Sequence, residues 1–318
     1  MLHVRVISPP ARTDEVLRIA EECPGAVNTI KFLGAAQSPP GDVVEFDVAR
    51  EAANPVLAQL RSLGLKDTGG ITVEQLDLSI STAAEIAEDT APGDPEDAVV
   101  WDELAARVAA DTRVSWSYLT FLALATQIAA IGVLLDQPIL IVGAMVLGPE
   151  FGPVAALCFG VLKRDLPLSV TAIRALVIGF AVAIAVTAAC AAVSRLLGWV
   201  TPDMLDGRPQ TDFIIHPDRW SFIVAVLAGI AGIMSLTAGK SSALVGVFIS
   251  VTTVPAAGNI AVAIPLAHWA EVSASFKQLG VNLAGMIVAG VATLIVQRIL
   301  WARFGLRIRP AARRTSGA

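Results

Sequence analysis

Two interruptions inside membrane-length apolar stretches constrain this chain more than any other feature. Pro149-Glu150-Phe151-Gly152-Pro153 breaks one stretch and Pro255-Ala256-Ala257-Gly258-Asn259 breaks another. Each follows a Val-Gly pair, Val142-Gly143 and Val245-Gly246. Proline and glycine at these places predict backbone carbonyls and amides that a regular helix would have paired. In hydrocarbon such groups survive only where protein buries them or a wet cavity solvates them. Interrupted spans at corresponding places in two halves point to the binding site of a transporter.

The chain has 318 residues, of which 55% are hydrophobic and 16% charged. A soluble domain carries about 25% charged residues. The charge is uneven: 9 Lys/Arg against 20 Asp/Glu in residues 1–115, then 14 against 8. An acidic polar front is thus joined to a slightly basic apolar remainder, and the acidic front excludes nucleic acid as a partner. Cys23, Cys158 and Cys190 have no metal or disulfide spacing, and His3, His216 and His268 are far apart, so no metal or cofactor is expected. No nucleophile elbow, HExxH or P-loop is present, so an enzyme is not expected. The first thirty residues lack a cleavable signal pattern, which leaves insertion to the first span.

Residues 1–81 alternate as βαββαβ, the ferredoxin-like split unit. The predicted strands are 2–7, 26–33, 43–48 and 70–80, the last with a bulge near Gln75. One predicted helix starts at Thr13. The other starts at Asn54-Pro55, a cap followed by a first-turn proline, and Gly64 ends it. The Ser8-Pro9-Pro10 turn connects elements or holds a ligand. Residues 82–115 read as an Ala/Glu/Asp/Pro-rich linker followed by an amphipathic connecting helix with Val100, Leu104 and Val108 on its apolar face.

Six spans are predicted, near 116–136, 138–162, 167–197, 220–238, 241–267 and 278–301, followed by a basic tail at 302–318. Arg107, Arg113, Lys163, Arg164, Lys240 and the arginines from Arg298 onward fall on one side. The positive-inside rule makes that side, with both termini and the front domain, cytoplasmic. Three spans cross an odd number of times, so spans 1–3 and 4–6 would be inverted copies. Gly229, Gly232, Gly285 and Gly290 read as close-packing positions.

The candidate pathway residues are Pro149, Glu150, Gly152, Pro153, Arg174, Ser250, Thr252, Thr253, Pro255, Gly258, Asn259 and Asn282. Glu150 is a proton- or cation-handling acid or half of a buried ion pair, because acids at bilayer depth are costly. Arg174 is its natural partner, an anchor for an anionic solute, or a side chain snorkelling to the interface. The hydroxyls of Ser250, Thr252 and Thr253 bind a solute or rebond the backbone that Pro255 frees. Asn259 and Asn282 belong to a pathway or tie helices together.

The run Val142-Gly-Ala-Met-Val-Leu-Gly-Pro-Glu-Phe-Gly-Pro153 resembles the Gly-Ala-Met…Pro…Gly-Pro signature of a bacterial membrane family, domain of unknown function 389, the uncharacterised hydrophobic domain proteins. Val245 to Pro255 and Val281-Asn-Leu-Ala-Gly285 resemble its later blocks, so the resemblance covers about residues 95–300. That family usually has an apolar residue where Glu150 stands here. The resemblance implies a polytopic membrane protein and no particular activity. The expected function is a secondary transporter or permease for a small polar or ionic solute in the bacterial cell membrane. An oligomeric ion channel, or a non-transporting sensor or scaffold, is the alternative. The expected partners are the lipid bilayer, further copies of the chain, and the solute or ion.

Overall fold

The computed structural model describes residues 1–91, 98–214, 218–238 and 252–304, and the chain divides into two compact units. One comprises Met1–Glu103 with the chain from Gln297; the other is Leu104–Val296.

The first unit holds a four-stranded antiparallel sheet. Its strands are β1 (Leu2–Ser8), β2 (Ala26–Gln37), β3 (Pro40–Val48) and β4 (Gly70–Gln75), in spatial order β2-β3-β1-β4. Pairs such as Val4↔Phe46, Val6↔Val44 and Val4↔Val73 align the alternate apolar residues on one face. Helices α1 (Thr13–Glu21) and α2 (Ala53–Ser62) bury Val16, Ile19, Val56, Leu57 and Leu60 in the same core. A single turn, α3 (Leu65–Thr68), precedes β4.

Three local expectations are corrected. The fourth strand stops at Gln75, and Leu78 and Ile80 are exposed, so the change in alternation marks the strand's end and not a bulge. The register shifts lie between β2 and β3. Residues 82–90 of the expected linker form α4 (Thr82–Thr90), capped by the Ser81 side chain. Asn54 does not cap its own helix. Its side chain donates to Val99 O and accepts from Trp101 N, and so receives the start of α5 (Trp101–Asp111).

The second unit is helical. Helix α6 (Trp116–Leu134) is capped by Ser115. The next span is the bent pair α7 (Pro138–Leu147) and α8 (Phe151–Lys163), which turns by 52° at Gly148-Pro149-Glu150. The long α9 (Leu166–Leu196) follows, then a loop with two short 3-10 turns, then α10 (Arg219–Thr237). Last come α11 (Thr253–Leu266) and α12 (Trp269–Phe304). Helices α6, α9, α10 and α12 are long and apolar enough to cross a membrane, and the α7–α8 pair adds a fifth span. The sixth expected span, 241–267, is represented by the shorter α11, and its first part lies outside the described residues. The final helix starts at Trp269, nine residues before the expected span at Gln278, because its polar first turns find partners inside the bundle.

The second break is also corrected. Pro255 to Asn259 are helical, and Pro255 is the third residue of α11. Pro153 is likewise the third residue of α8. A first-turn N–H has no intrahelical acceptor, so proline there removes nothing. The prolines lie in the first turn of each helix, and the described non-helical residues that precede them are Gly148 to Glu150 in one case and Thr252 in the other. Glu150 and Thr252 occupy equivalent capping positions, and their carbonyls accept from Val154 N and Ala256 N. Further parallels run through the unit. Helices α6 and α10 are both 19 residues long with a side-chain cap. Helices α8 and α11 both end on a left-handed residue, Arg164 and Ala267, closed by bonds from Asp165 N to Gly160 O and from His268 N to Ala263 O. A long helix follows each.

Candidate functional site

Helix α11 is buried on every side except near its end and packs against α6 and α9. Such all-round burial places its first residues inside the bundle, not against lipid. Two polar clusters meet it. The first surrounds its N-terminus. Thr253 Oγ1 donates to Glu150 Oε1 at 2.7 Å, which ties the start of α11 to the start of α8. Glu150 is 7% exposed, and its other oxygen, Oε2, has no hydrogen-bond partner among the described residues. On the α12 side, Gln278 Nε2 and Asn282 Nδ2 both donate to Thr252 Oγ1, at 3.0 and 2.7 Å.

The second cluster lies two turns along α11. Asn259, fully buried, accepts from Arg208 Nη1 (3.1 Å) and donates to Glu271 Oε2 (3.0 Å) and Ser275 Oγ (2.9 Å). Arg208 Nη2 meets Glu271 Oε2 at 2.7 Å, and its Nε donates to Leu205 O. Arg208 also lines a recess of about 270 Å³ together with Leu205, Gly207, Pro209 and Asp212. Asp136, at the turn after α6, holds the same loop through Thr211 Oγ1 and Gln210 N.

Glu271, Ser275, Gln278 and Asn282 follow one another at spacings of four, three and four. That spacing places them on one face of α12, a polar row about 16 Å long at 1.5 Å per residue. It faces Thr252, the capping residue of α11, and Asn259, seven residues further along. Three of these residues, Glu271, Ser275 and Gln278, were not among the candidates, although their spacing was a readable signal. Arg208 gave no such signal, because a loop residue has no periodicity.

The other candidates divide. Thr252, Thr253, Asn259 and Asn282 join the clusters beside Glu150. Pro149 is half-buried in the bend, and Pro153 and Pro255 start the half-helices. The two candidate glycines serve packing. A Cβ on Gly258 would lie 2.8 Å from Ala130 N of α6, and one on Gly152 would lie 2.8 Å from Asp111 Cβ. Gly148 is closer to the chemistry, since a Cβ there would collide with Glu150 Oε2. Arg174 is exposed on α9 and forms no bond with Glu150, so the expected pair is corrected. Glu150 is met by a hydroxyl instead. Ser250 lies outside the described residues. The packing glycines behave as expected: Gly229 abuts the Met286 backbone, Gly285 abuts Ala225, and Gly232 receives the Phe151 ring.

Residues 145–288 match the family described as Domain of unknown function (DUF389), a stretch that contains both half-helix starts and the polar row. The chain carries a DUF389 match over this stretch. Over 178 residues it is 29% identical to an uncharacterized protein of Methanocaldococcus jannaschii, covering 56% of this chain. The match spans 52% of that relative's length, about half. No solved structure matches the chain.

Proposed function

We propose that this protein is a secondary transporter or permease for a small polar or ionic solute, with its pathway along the α11–α12 seam between the two half-helix starts. The observation that carries this reading is the buried polar row of α12 facing Thr252 and Asn259. Magnitudes argue against the row serving only as adhesive. Hydrogen bonds between membrane helices average about 0.6 kcal/mol, whereas an Asp, Lys or Arg at the bilayer centre costs about 2.5–3.5 kcal/mol on insertion scales. Glu150, buried at the bend with no cation opposite it among the described residues, is poor value as glue and is reasonable as part of a polar path.

The paired elements of the helical unit support a 3+3 inverted repeat with six spans, and the central broken helix of each half supplies one wall of the path. The strand order β2-β3-β1-β4 with two crossover helices supports a ferredoxin-like front domain. In this reading that domain is cytoplasmic, as are both termini, and it assembles or regulates a homo-oligomer in the cell membrane.

The test is solute counterflow into proteoliposomes containing the full chain, across a panel of small polar and ionic solutes. Saturable exchange is expected for a transporter, and Gln278→Ala with Asn282→Ala should slow it at least tenfold. Flux that never saturates supports the channel alternative. No flux for any solute, or flux indifferent to both variants, overturns the seam as the pathway.

A further inference from the structure

The unsatisfied groups at the α8–α11 junction are all of one kind. Glu150 Oε2 and Gln278 Oε1 are buried acceptors without a hydrogen-bond partner among the described residues, and their residues are 7% and 1% exposed. Both side chains bond residues at the start of α11, Glu150 to Thr253 and Gln278 to the capping residue Thr252. The side-chain bonds nearby run elsewhere: the Thr253 hydroxyl donates to the other Glu150 oxygen, and the Gln278 and Asn282 amides donate to Thr252. Glu150 has no cation opposite it among the described residues, because Arg208 is taken by Glu271 and Arg174 is exposed. Two half-helix N-termini favour a negative charge here, and the Glu150 carboxylate already supplies it. A second anion would meet that carboxylate at close quarters, whereas the orphaned groups are acceptors. One positive charge would neutralise it and supply what the orphaned acceptors lack.

We infer that the junction of α8 and α11 binds one small monovalent cation on the oxygens of Glu150, Gln278 and Thr253, and excludes anions. This rests on the transport reading only for its purpose, as the coupling ion of the same path. The cation is a proton or an alkali-type ion. Gly148 belongs to the site, because its missing side chain is what leaves room for Oε2.

The experiment is thermal unfolding of the full chain in detergent. Lithium, sodium, potassium and ammonium chlorides are compared with choline chloride at equal ionic strength, and the series is repeated with gluconate and at pH values from 5 to 8. A midpoint that rises and saturates with one cation, whatever the anion, identifies an alkali-type ion. A midpoint that follows pH and ignores salt identifies the proton. The other titratable groups at this place are Tyr118 of α6, which interacts electrostatically with Glu150 and whose hydroxyl donates to Ala175 O, and Asp111 at the end of α5 against Gly152. Tyr118→Phe and Asp111→Asn should therefore preserve the response, and Glu150→Gln should abolish it. If Glu150→Gln fails to fold, Thr253→Val, which keeps the carboxylate, should weaken the response at least threefold in cation concentration. Stabilisation that follows the anion, or a response intact in Glu150→Gln or Thr253→Val, overturns the inference, as does no response at all. Binding is read here without flux. A cation response in a chain that moves no solute would sink the transport reading alone, and flux without a cation response would sink only the cation site.

Discussion

At the scale of single residues, the decisive arrangement is that each buried charge has a distinct solution. Arg208 and Glu271 neutralise each other and share Asn259, whereas Glu150 is met by a neutral hydroxyl. Removing one member of a buried pair strands the other, at a typical cost of about 3–5 kcal/mol. Arg208→Ala and Glu271→Ala should each destabilise the chain on that scale, while Arg208→Met with Glu271→Leu should recover most of the loss. A double-mutant cycle read by unfolding in detergent checks this, and additive losses would dissolve the pair. In the front unit, Gly34 N–H and the Thr13 hydroxyl hold the Asp42 carboxyl below the usual carboxylate range. Its contribution is therefore complete above the ordinary aspartate value and is lost as pH falls through the depressed one. Asp42→Asn should flatten that acid limb in a pH series of unfolding midpoints. Glu150 was legible in the sequence as a costly acid. Its partner was not, because contact between residues 150 and 253 depends on how two half-helices are brought end to end.

At the scale of elements, the prolines of the half-helices sit where their missing N–H is harmless. Pro153→Ala and Pro255→Ala should change stability by less than about 1 kcal/mol, as measured by unfolding in detergent, in contrast to the roughly 3 kcal/mol of a mid-helix proline. A large gain in either variant would mean that proline is breaking the helix there. Gly258→Ala is the opposite case. With α6 backbone 2.8 Å from the new methyl, it should cost about 1–3 kcal/mol by the same assay. The four strands, the two main helices of the front unit and the long apolar helices were legible because hydrophobic period and length dominate them, whereas α4 was not, its Ala/Glu/Asp-rich run having only a narrow apolar face. The fourth strand was read too long because Leu76, Leu78 and Ile80 alternate as a strand would, although Leu78 and Ile80 are exposed. The α12 row is legible only as a pattern: each polar residue alone interrupts an apolar run, and the spacing of four, three and four is what sets Glu271, Ser275, Gln278 and Asn282 on one face.

At the scale of the whole molecule, composition alone separated an acidic front from an apolar remainder, and the structure has two compact units. The proposed topology is open to direct labelling. With Cys23, Cys158 and Cys190 replaced, an impermeant maleimide applied to intact cells should modify Asp206→Cys in the α9–α10 loop. It should reach Lys66→Cys in the front unit only after permeabilisation. Equal labelling of both positions in intact cells would place them on the same side and remove the 3+3 inverted arrangement, since both residues are exposed.

The loop that carries Arg208 is fastened twice, by Asp136 to Thr211 and Gln210, and by the guanidinium to Glu271 and Asn259. Lifting it requires drawing a positive charge out of a dry seat and abandoning a negative one there. Opening at that end and separation of the two charges are thus one event, a latch whose release is governed by electrostatics and not by apolar contact. A charged solute that can take the place of either partner would turn that latch simply by arriving.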